Sequence, residues 1–415
     1  MTGGDSPGYT RLLERLDQIR VQGVAFGLGH MQTALERLGH PESACAVVHI
    51  AGTNGKGSTA AMTAAILQAA GWKTALFTSP HLSRFTERFR LGGAEIDSEV
   101  LAALDAEVLA TGVPLTYFET ATVLFWLAAR QDGADVAVVE VGLGGRLDAT
   151  NVCQPVATAI TSIGLDHQDL LGTGVGDIAR EKAGIVKAGV PVFVGPVPAE
   201  ARAVIGAHGQ AVGAPVHFRS ASTHPPPVAP GLRGAHQANN AALATALAEF
   251  TARSLGRPLA EEAMVAGLEG VRWPGRLEWV GPDVLLDAAH NPQGVEGLVG
   301  SLPERGPRAL VVSFVGGKAL STCAALLAPA FPHVVATMSR SERALPAAEV
   351  AAAFGAGPSA VVVEPDPLRA LALARAQVAP RGFVTVAGST FLVGEIRAHL
   401  LGEASDPVGG GDPLP

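Results

Sequence analysis

Ala46-Val47-Val48-His49-Ile50-Ala51-Gly52-Thr53-Asn54-Gly55-Lys56-Gly57-Ser58 decides the fold. Its first six residues form an apolar, β-branched run that reads as a buried strand. The next residues read as a tight loop, and the alanine-rich residues 58–70, ended by Gly71, as a helix. Strand, glycine-rich loop and helix in this order gather backbone N–H groups, a helix N-terminus, a lysine and a hydroxyl around one point, as a phosphate cradle requires. Gly52, Thr53, Asn54, Gly55, Lys56, Gly57 and Ser58 are therefore candidate contacts for a nucleoside triphosphate. The loop departs from the common pattern: Gly57 separates Lys56 from Ser58, and Ile50 stands five positions before Gly55. The alternative is an ordinary glycine-rich turn between strand and helix.

Outward from this stretch, strand-like runs recur at 134–141, 156–163 and 190–194, with helical stretches between them such as 119–130. Alternating strands and helices imply a mostly parallel sheet covered on both faces. The proline-rich residues 220–234 read as a surface loop, and 236–254 as one long alanine-rich helix. A fresh series of strand-like runs follows at 284–287, 309–314, 334–337, 360–363 and 383–387. The expected fold is α/β: an N-terminal P-loop-type, mostly parallel sheet with helices on both faces, plus a smaller C-terminal α/β domain. The boundaries expected are 1–272 for the first domain, 273–282 for a linker, 283–401 for the second domain and 402–415 for a flexible tail. No internal repeat is found.

The 415 residues are 48% hydrophobic and 16% charged, too apolar for disorder, and long enough for two or three domains. Thirty basic against 38 acidic residues give a net charge of −8, which disfavours non-specific nucleic-acid binding and points to small-molecule partners. Cys45, Cys153 and Cys323 are far apart and odd in number, so neither a disulfide framework nor a zinc site is indicated, and a reducing cytoplasm fits. Neither a signal peptide nor a membrane span is indicated. Only five lysines occur, Lys56, Lys73, Lys182, Lys187 and Lys318. Codon bias accounts for much of that scarcity, yet a lysine kept where arginine is abundant raises the question of a required amine.

Glu140 ends an apolar strand, at the sheet edge where ligands of doubly wound folds bind, and an acid there suits Mg²⁺. Asp166 and His167 follow the next strand as a second polar pair on that edge. On the residues alone His167 reads as structural or as a general base, because histidine is an unusual Mg²⁺ ligand. Lys182 by itself reads as a surface lysine.

GTNGKGS (52–58), TSPHL (78–82), TYFET (116–120), EVGLGGRLDATN (140–151), SIGLDH (162–167), EKAGI (181–185), WPGRLE (273–278), DAAHNP (287–292) and GSTFLVGE (388–395) occur in one chain in this order. In that set and order the sequence closely resembles the folylpolyglutamate synthase/dihydrofolate synthase family, relatives of the Mur ligases, from about residue 25 to 395. The resemblance implies an ATP-dependent carboxylate–amine ligase that adds L-glutamate to dihydropteroate and to reduced folates through an acyl phosphate, with the C-terminal domain as its glutamate-ligase domain. It implies ATP and Mg²⁺ as cofactors, with Ser79, Glu140 and His167 as metal ligands, which replaces the first reading of His167. Lys182 matches a lysine carried as a carbamate, a modification that arginine cannot undergo. Asn240, Arg276 and Asp287 match ATP contacts, so that ATP would sit between domains. Lys56, Lys182 and His290 are the catalytic candidates; His290 with Asn291 would guide glutamate or the γ-phosphate.

On the folate side the resemblance implies Ala25, Phe26, Gly27, His81, Thr116, Tyr117, Phe118 and Leu147. Bifunctional relatives often carry aspartate in place of Ala25, whereas His81 matches them. Lys318 lacks the acid usually beside it in the family and has no assigned role, and Ser389 is a weaker candidate. A monomer without nucleic-acid or membrane partners is expected. The alternatives are a folylpolyglutamate synthase alone, a Mur-type ligase acting on a UDP-sugar peptide, and a non-catalytic nucleotide-binding switch. TYFET and TSPHL speak against the second, and the joint presence of Glu140, His167 and Lys182 against the third.

Overall fold

The computed structural model describes residues 6–20, 27–304, 306–316, 319–355, 357 and 359–407. Among the described residues fourteen strands form two sheets. The first comprises β1 (Ala46–Ala51), β2 (Thr74–Phe77), β3 (Phe89–Leu91), β4 (Ala94–Glu95), β5 (Val136–Glu140), β6 (Ala157–Ile160), β7 (Val192–Val194) and β8 (Val216–Phe218). Their order is β4-β3-β2-β5-β1-β6-β7-β8, parallel except for the β2-β3-β4 edge. The second sheet comprises β9 (Glu278–Val280), β10 (Val284–Leu286), β11 (Arg308–Val312), β12 (His333–Ala336), β13 (Ala360–Val363) and β14 (Phe383–Ala387). Its order is β13-β12-β11-β14-β10-β9, with only β9 antiparallel to its neighbour. An α/β protein with a large, mostly parallel sheet and a smaller second one is what the alternating apolar runs imply.

Side-chain alternation along the central strands explains why both faces are covered. On β5, Ala137 and Val139 join a core with the helices Pro7–Arg20 and Tyr117–Asp132, whereas Val136 and Val138 face the helices Lys56–Ala69 and Gln237–Ser254. Nearly every side chain of Tyr117–Asp132 through Ala129 is buried, so this helix lies inside the first domain. In the second sheet Leu310 and Val312 point to one core, Ala309 and Val311 to the other. Among the described residues no helix is long and apolar enough to cross a membrane.

Two boundary expectations need correction. The stretch 273–282 is not all linker, because Glu278–Val280 pairs with Val284–Leu286 as β9 and belongs to the second sheet. The tail expected free from residue 402 is anchored as far as Asp406 by that residue's carboxylate, which is 4% exposed. It accepts hydrogen bonds from Tyr9 Oη (2.8 Å) and Phe85 N (2.6 Å), while Asp406 N donates to Ser83 O (2.9 Å). A tail without an apolar pattern docks because one acidic side chain satisfies buried donors. Ala25, Phe26 and Lys318 lie outside the described residues.

Candidate active site

Three parallel strands aim their C-terminal ends at one place. β1 leads into the loop 52–58, β5 ends on Glu140, and β6 leads into residues 161–167; β5 and β6 flank β1 on either side. Ligands of open α/β sheets bind at such an edge. The loop itself is shaped by what crowds it. Gly55, at φ 85°, has Asn240 so close that an added Cβ would stand 2.5 Å from Asn240 Oδ1. Ser162 Oγ accepts from Asn54 N (3.0 Å) while Thr161 Oγ1 donates to Asn54 O (2.7 Å), so the β6 loop holds the backbone of the cradle from beneath.

Every residue expected to contact ATP or metal, together with Lys56, Lys182 and His290, lines a single cavity of about 310 Å³. The first domain contributes Gly52, Thr53, Asn54, Gly55, Lys56, Gly57, Ser58, Ser79, Glu140, His167, Lys182 and Asn240; Arg276, Asp287 and His290 come from the linker and the second domain. The cavity thus lies between the two sheets.

Electrostatics within it follow from burial. Glu140 is buried, which pushes its carboxyl above the usual range, against the opposing pull of Lys56 and of the Ser79 N–H that its Oε2 accepts at 3.0 Å. Lys182 is 4% exposed, and desolvation, reinforced by the charge of Lys56, pushes its amine down to about 7. Asp287, also raised by burial, accepts from Leu277 N (2.9 Å) and Ala289 N (2.9 Å), which folds the linker back onto the cavity. His290 Nδ1 bonds to Ala288 O at 2.8 Å, leaving Nε2 3.9 Å from Asp166 Oδ2.

Among the described residues no three His, Cys, Asp or Glu side chains converge as a metal cage. Ser79, Glu140 and His167 do not amount to one, because the set contains a hydroxyl and a single carboxylate. That donor set still fits Mg²⁺, which is held by one or two carboxylates plus substrate phosphate oxygens. Glu140 is the buried carboxylate of the set, and it lines the same cavity as the loop 52–58.

The folate-side expectations fare differently. Thr116 is spent on the fold: its hydroxyl accepts from Glu119 N (3.4 Å) and Glu119 Oε2 accepts from Thr116 N (2.8 Å), a capping box that starts the helix two residues before the apolar pattern suggests. Tyr117 is buried against Phe85, ring centroids 5.8 Å apart, so it presents no open face to a heterocycle. Phe118 is half-buried and packs on Gly142, and Leu147 sits exposed in the loop after β5. Gly27, at φ 131°, has nothing within 4 Å of an added Cβ. His81 is buried, its Nδ1 accepting from Arg88 Nε at 2.9 Å; burial and that guanidinium hold it well below the usual range and hence neutral. None of these six lines the nucleotide-side cavity.

Sequence reasoning missed Gln237, whose Oε1 accepts from Asn240 Nδ2 (2.9 Å) and whose Nε2 donates to Ser58 Oγ (3.4 Å). It also missed Arg88, a fully buried cation stacked against Phe85 and Tyr117 at 5.7 and 5.5 Å. No local signal singled it out, because Arg84, Glu87 and Arg90 stand in the same short stretch.

Residues 50–194 match the model of the Mur ligase middle domain, and residues 275–390 that of the Mur ligase glutamate ligase domain. The chain is 38% identical over 316 residues to the dihydrofolate synthase/folylpolyglutamate synthase of Bacillus subtilis (strain 168), an alignment spanning 68% of this chain and 73% of that one. A solved structure of Escherichia coli FolC in complex with DHPP and ADP superposes with a TM-score of 0.86 at 30% identity, covering 97% of this chain and 99% of that one. The bifunctional folylpolyglutamate synthase/dihydrofolate synthase of Yersinia pestis, complexed with AMPPNP and Mn ion, gives a TM-score of 0.85 at 30% identity over 97% and 100% of the two chains. Sheet order, cavity and sequence agree, and the chain belongs to the bifunctional dihydrofolate synthase/folylpolyglutamate synthase family of the Mur ligases, ATP-dependent enzymes that join glutamate to dihydropteroate and to folates.

Proposed function

We propose that this chain performs the ligation through an acyl phosphate formed in the cavity between the sheets. A carboxylate is a poor electrophile, so its oxygen first attacks the γ-phosphorus of ATP; the bond to the β-phosphate oxygen breaks and ADP leaves. The amine of L-glutamate then attacks the acyl carbon, phosphate departs, and the amine proton is released as the amide forms. Alignment and charge stabilisation carry most of such a phosphoryl transfer. The loop amides and Lys56 would hold the phosphates, Asn240, Arg276 and Asp287 the rest of the nucleotide, and His290 would face the transferred phosphoryl or the incoming amine.

Mg²⁺, when bound, neutralises the phosphate charge that develops; Ser79, Glu140 and His167 are the residues that would hold it. Lys182 has the one property that carbamate formation demands, an amine substantially neutral near pH 7. Attack of the neutral amine on CO₂ would form an N–C bond with loss of one proton and leave an anion in the cavity that Glu140 also lines. That buried, neutralised lysine at the edge of the phosphate loop is the observation that carries this reading. Dihydropteroate, reduced folates and glutamate would enter from the side of His81, with Ala25, Phe26 and Gly27 as further candidate contacts. A cytoplasmic protein that works as a monomer completes the reading, in keeping with its three free cysteines.

The test is glutamate-dependent ADP release with MgATP, comparing 7,8-dihydropteroate with tetrahydrofolate and identifying products by mass. Turnover with both is expected. Extension of tetrahydrofolate alone would remove the dihydrofolate synthase activity and direct attention to Ala25.

A further inference from the structure

Asn291 sits between the phosphate loop and the second sheet, 3% exposed, with every hydrogen-bonding position of its amide in use. Its Oδ1 accepts from Gly294 N (2.9 Å), capping the helix Pro292–Val299, and from Asn54 Nδ2 (3.1 Å). Its Nδ2 donates to Asn54 Oδ1 (3.0 Å) and to Asp166 Oδ2 (2.9 Å). An amide offers two acceptor and two donor positions, and all four are matched. The opposite orientation of the amide would set its oxygen against the Asp166 carboxylate and its nitrogen against two N–H donors, so the chemistry admits one arrangement only. Asn54 makes a further bond across the cleft, Nδ2 to Gln293 Oε1 at 2.9 Å.

These contacts join three parts of the site. Asn54 belongs to the loop that would hold the phosphates, Asp166 to the loop after β6, and Asn291 to the second domain, directly after His290. Asp166 also accepts from His167 N (3.0 Å) and lies 3.9 Å from His290 Nε2. We propose that Asn291 is a positioning residue for the ligation, which, through its amide pair with Asn54 and its bond to Asp166, sets the distance between His290 and the phosphate loop. The proposal rests on the role given to His290 above. Neither of the other common helix caps substitutes: aspartate accepts but cannot donate and would confront Asp166, and serine caps the helix but cannot reach as a reciprocal pair.

Asn291→Ser keeps a cap for the helix while removing the clasp, and is compared with His290→Ala, with the double variant and with Gln293→Ala. Readouts are kcat and KM, ADP affinity by calorimetry, and unfolding temperature. Asn291→Ser is expected to lower kcat by roughly 10- to 100-fold, the effect of a misplacement of about an ångström, with the chain still folded and its unfolding temperature modestly lowered by the partners that Asn54 and Asp166 lose. ADP affinity should stay within about 3-fold of wild type, and the double variant should lose no more than His290→Ala alone, because both changes act at one point. Gln293→Ala should lower kcat in the same direction by a smaller factor. Wild-type kcat in Asn291→Ser and Gln293→Ala, beside a failed His290→Ala, overturns this inference alone; so do losses that multiply in the double variant. Full activity of His290→Ala overturns both the inference and the role given to His290. If Asn291→Ser does not fold, Gln293→Ala decides, wild-type kcat there counting against the clasp.

Discussion

Lys182 carries the proposed chemistry at the scale of one residue. Its amine titrates near 7 in the folded chain and at 10.5 when free, because burial and Lys56 both disfavour the charge. Between those values the unfolded chain binds the extra proton, so this group makes stability rise with pH across that window, by up to about 1.4 kcal/mol per unit, and its penalty is fully present below the lower value. In CO₂-depleted buffer, Lys182→Met should therefore be more stable than wild type near pH 6.5, with a difference that shrinks towards pH 10; denaturant titrations at several pH values check this, and equal slopes would contradict the burial of the charge. Lys182→Arg keeps the cation but cannot form a carbamate. Its kcat should fall by roughly 100-fold or more with the fold retained, and undiminished turnover would take the carbamate out of the mechanism. Glu140→Gln should raise the Mg²⁺ concentration needed for half-maximal rate, read from a metal titration of kcat, and an unchanged titration would place the metal elsewhere.

At the scale of an element, the helix Tyr117–Asp132 shows why a motif can match a binding stretch and still serve the fold. Thr116 and Glu119 exchange hydrogen bonds at its start, and Tyr117 disappears into the core behind them. Thr116→Ala should cost about 1 kcal/mol of stability through loss of the cap. Its KM for dihydropteroate should be unchanged; a raised KM with normal stability would return Thr116 to the folate side. The pattern T-Y-F-E has the spacing of a capping box, so this helix start was legible in the residues themselves. The burial of Tyr117 was not, because it depends on Phe85 from a distant segment.

At the scale of the whole molecule, the two domains are joined by more than the linker. Arg20, at the end of the helix Pro7–Arg20, pairs with Glu342 of the second domain at 3.0 Å, and Asp406 returns from the chain end to Tyr9 and Phe85. Burial and the Asp406 carboxylate both raise the Tyr9 hydroxyl well above its usual range, so the phenol stays protonated and donates. Truncation after residue 402 would leave that donor and Phe85 N without this partner, at a cost of about 1–3 kcal/mol for each buried group. Denaturant unfolding and the rate of proteolysis within the first helix should both report it; identical curves would mean that the strap contributes nothing.

The alternation of strands and helices, the glycine-rich loop 52–58 and the acid at the end of β5 follow from local patterns, because apolar period and glycine placement act over a few positions and are written in the chain; the second sheet, by contrast, begins with β9 inside the stretch expected to be linker, which only strand pairing decides. Loop 52–58 and Glu140 were legible through those local patterns, each lying at a strand end, whereas Ser79, Asn240, Arg276 and Asp287 were named only through the family resemblance, and Lys182, which lies inside the helix Val175–Ala183, reads on the residues alone as a surface lysine. What tertiary structure alone decided is everything that depends on partners far apart in sequence. Asn54 and Asn291 meet across 237 positions, Tyr9 and Asp406 across 397, and the depressed amine of Lys182 requires walls from several elements. Hydrogen-bond complementarity and desolvation are properties of a three-dimensional enclosure, which no local pattern encodes.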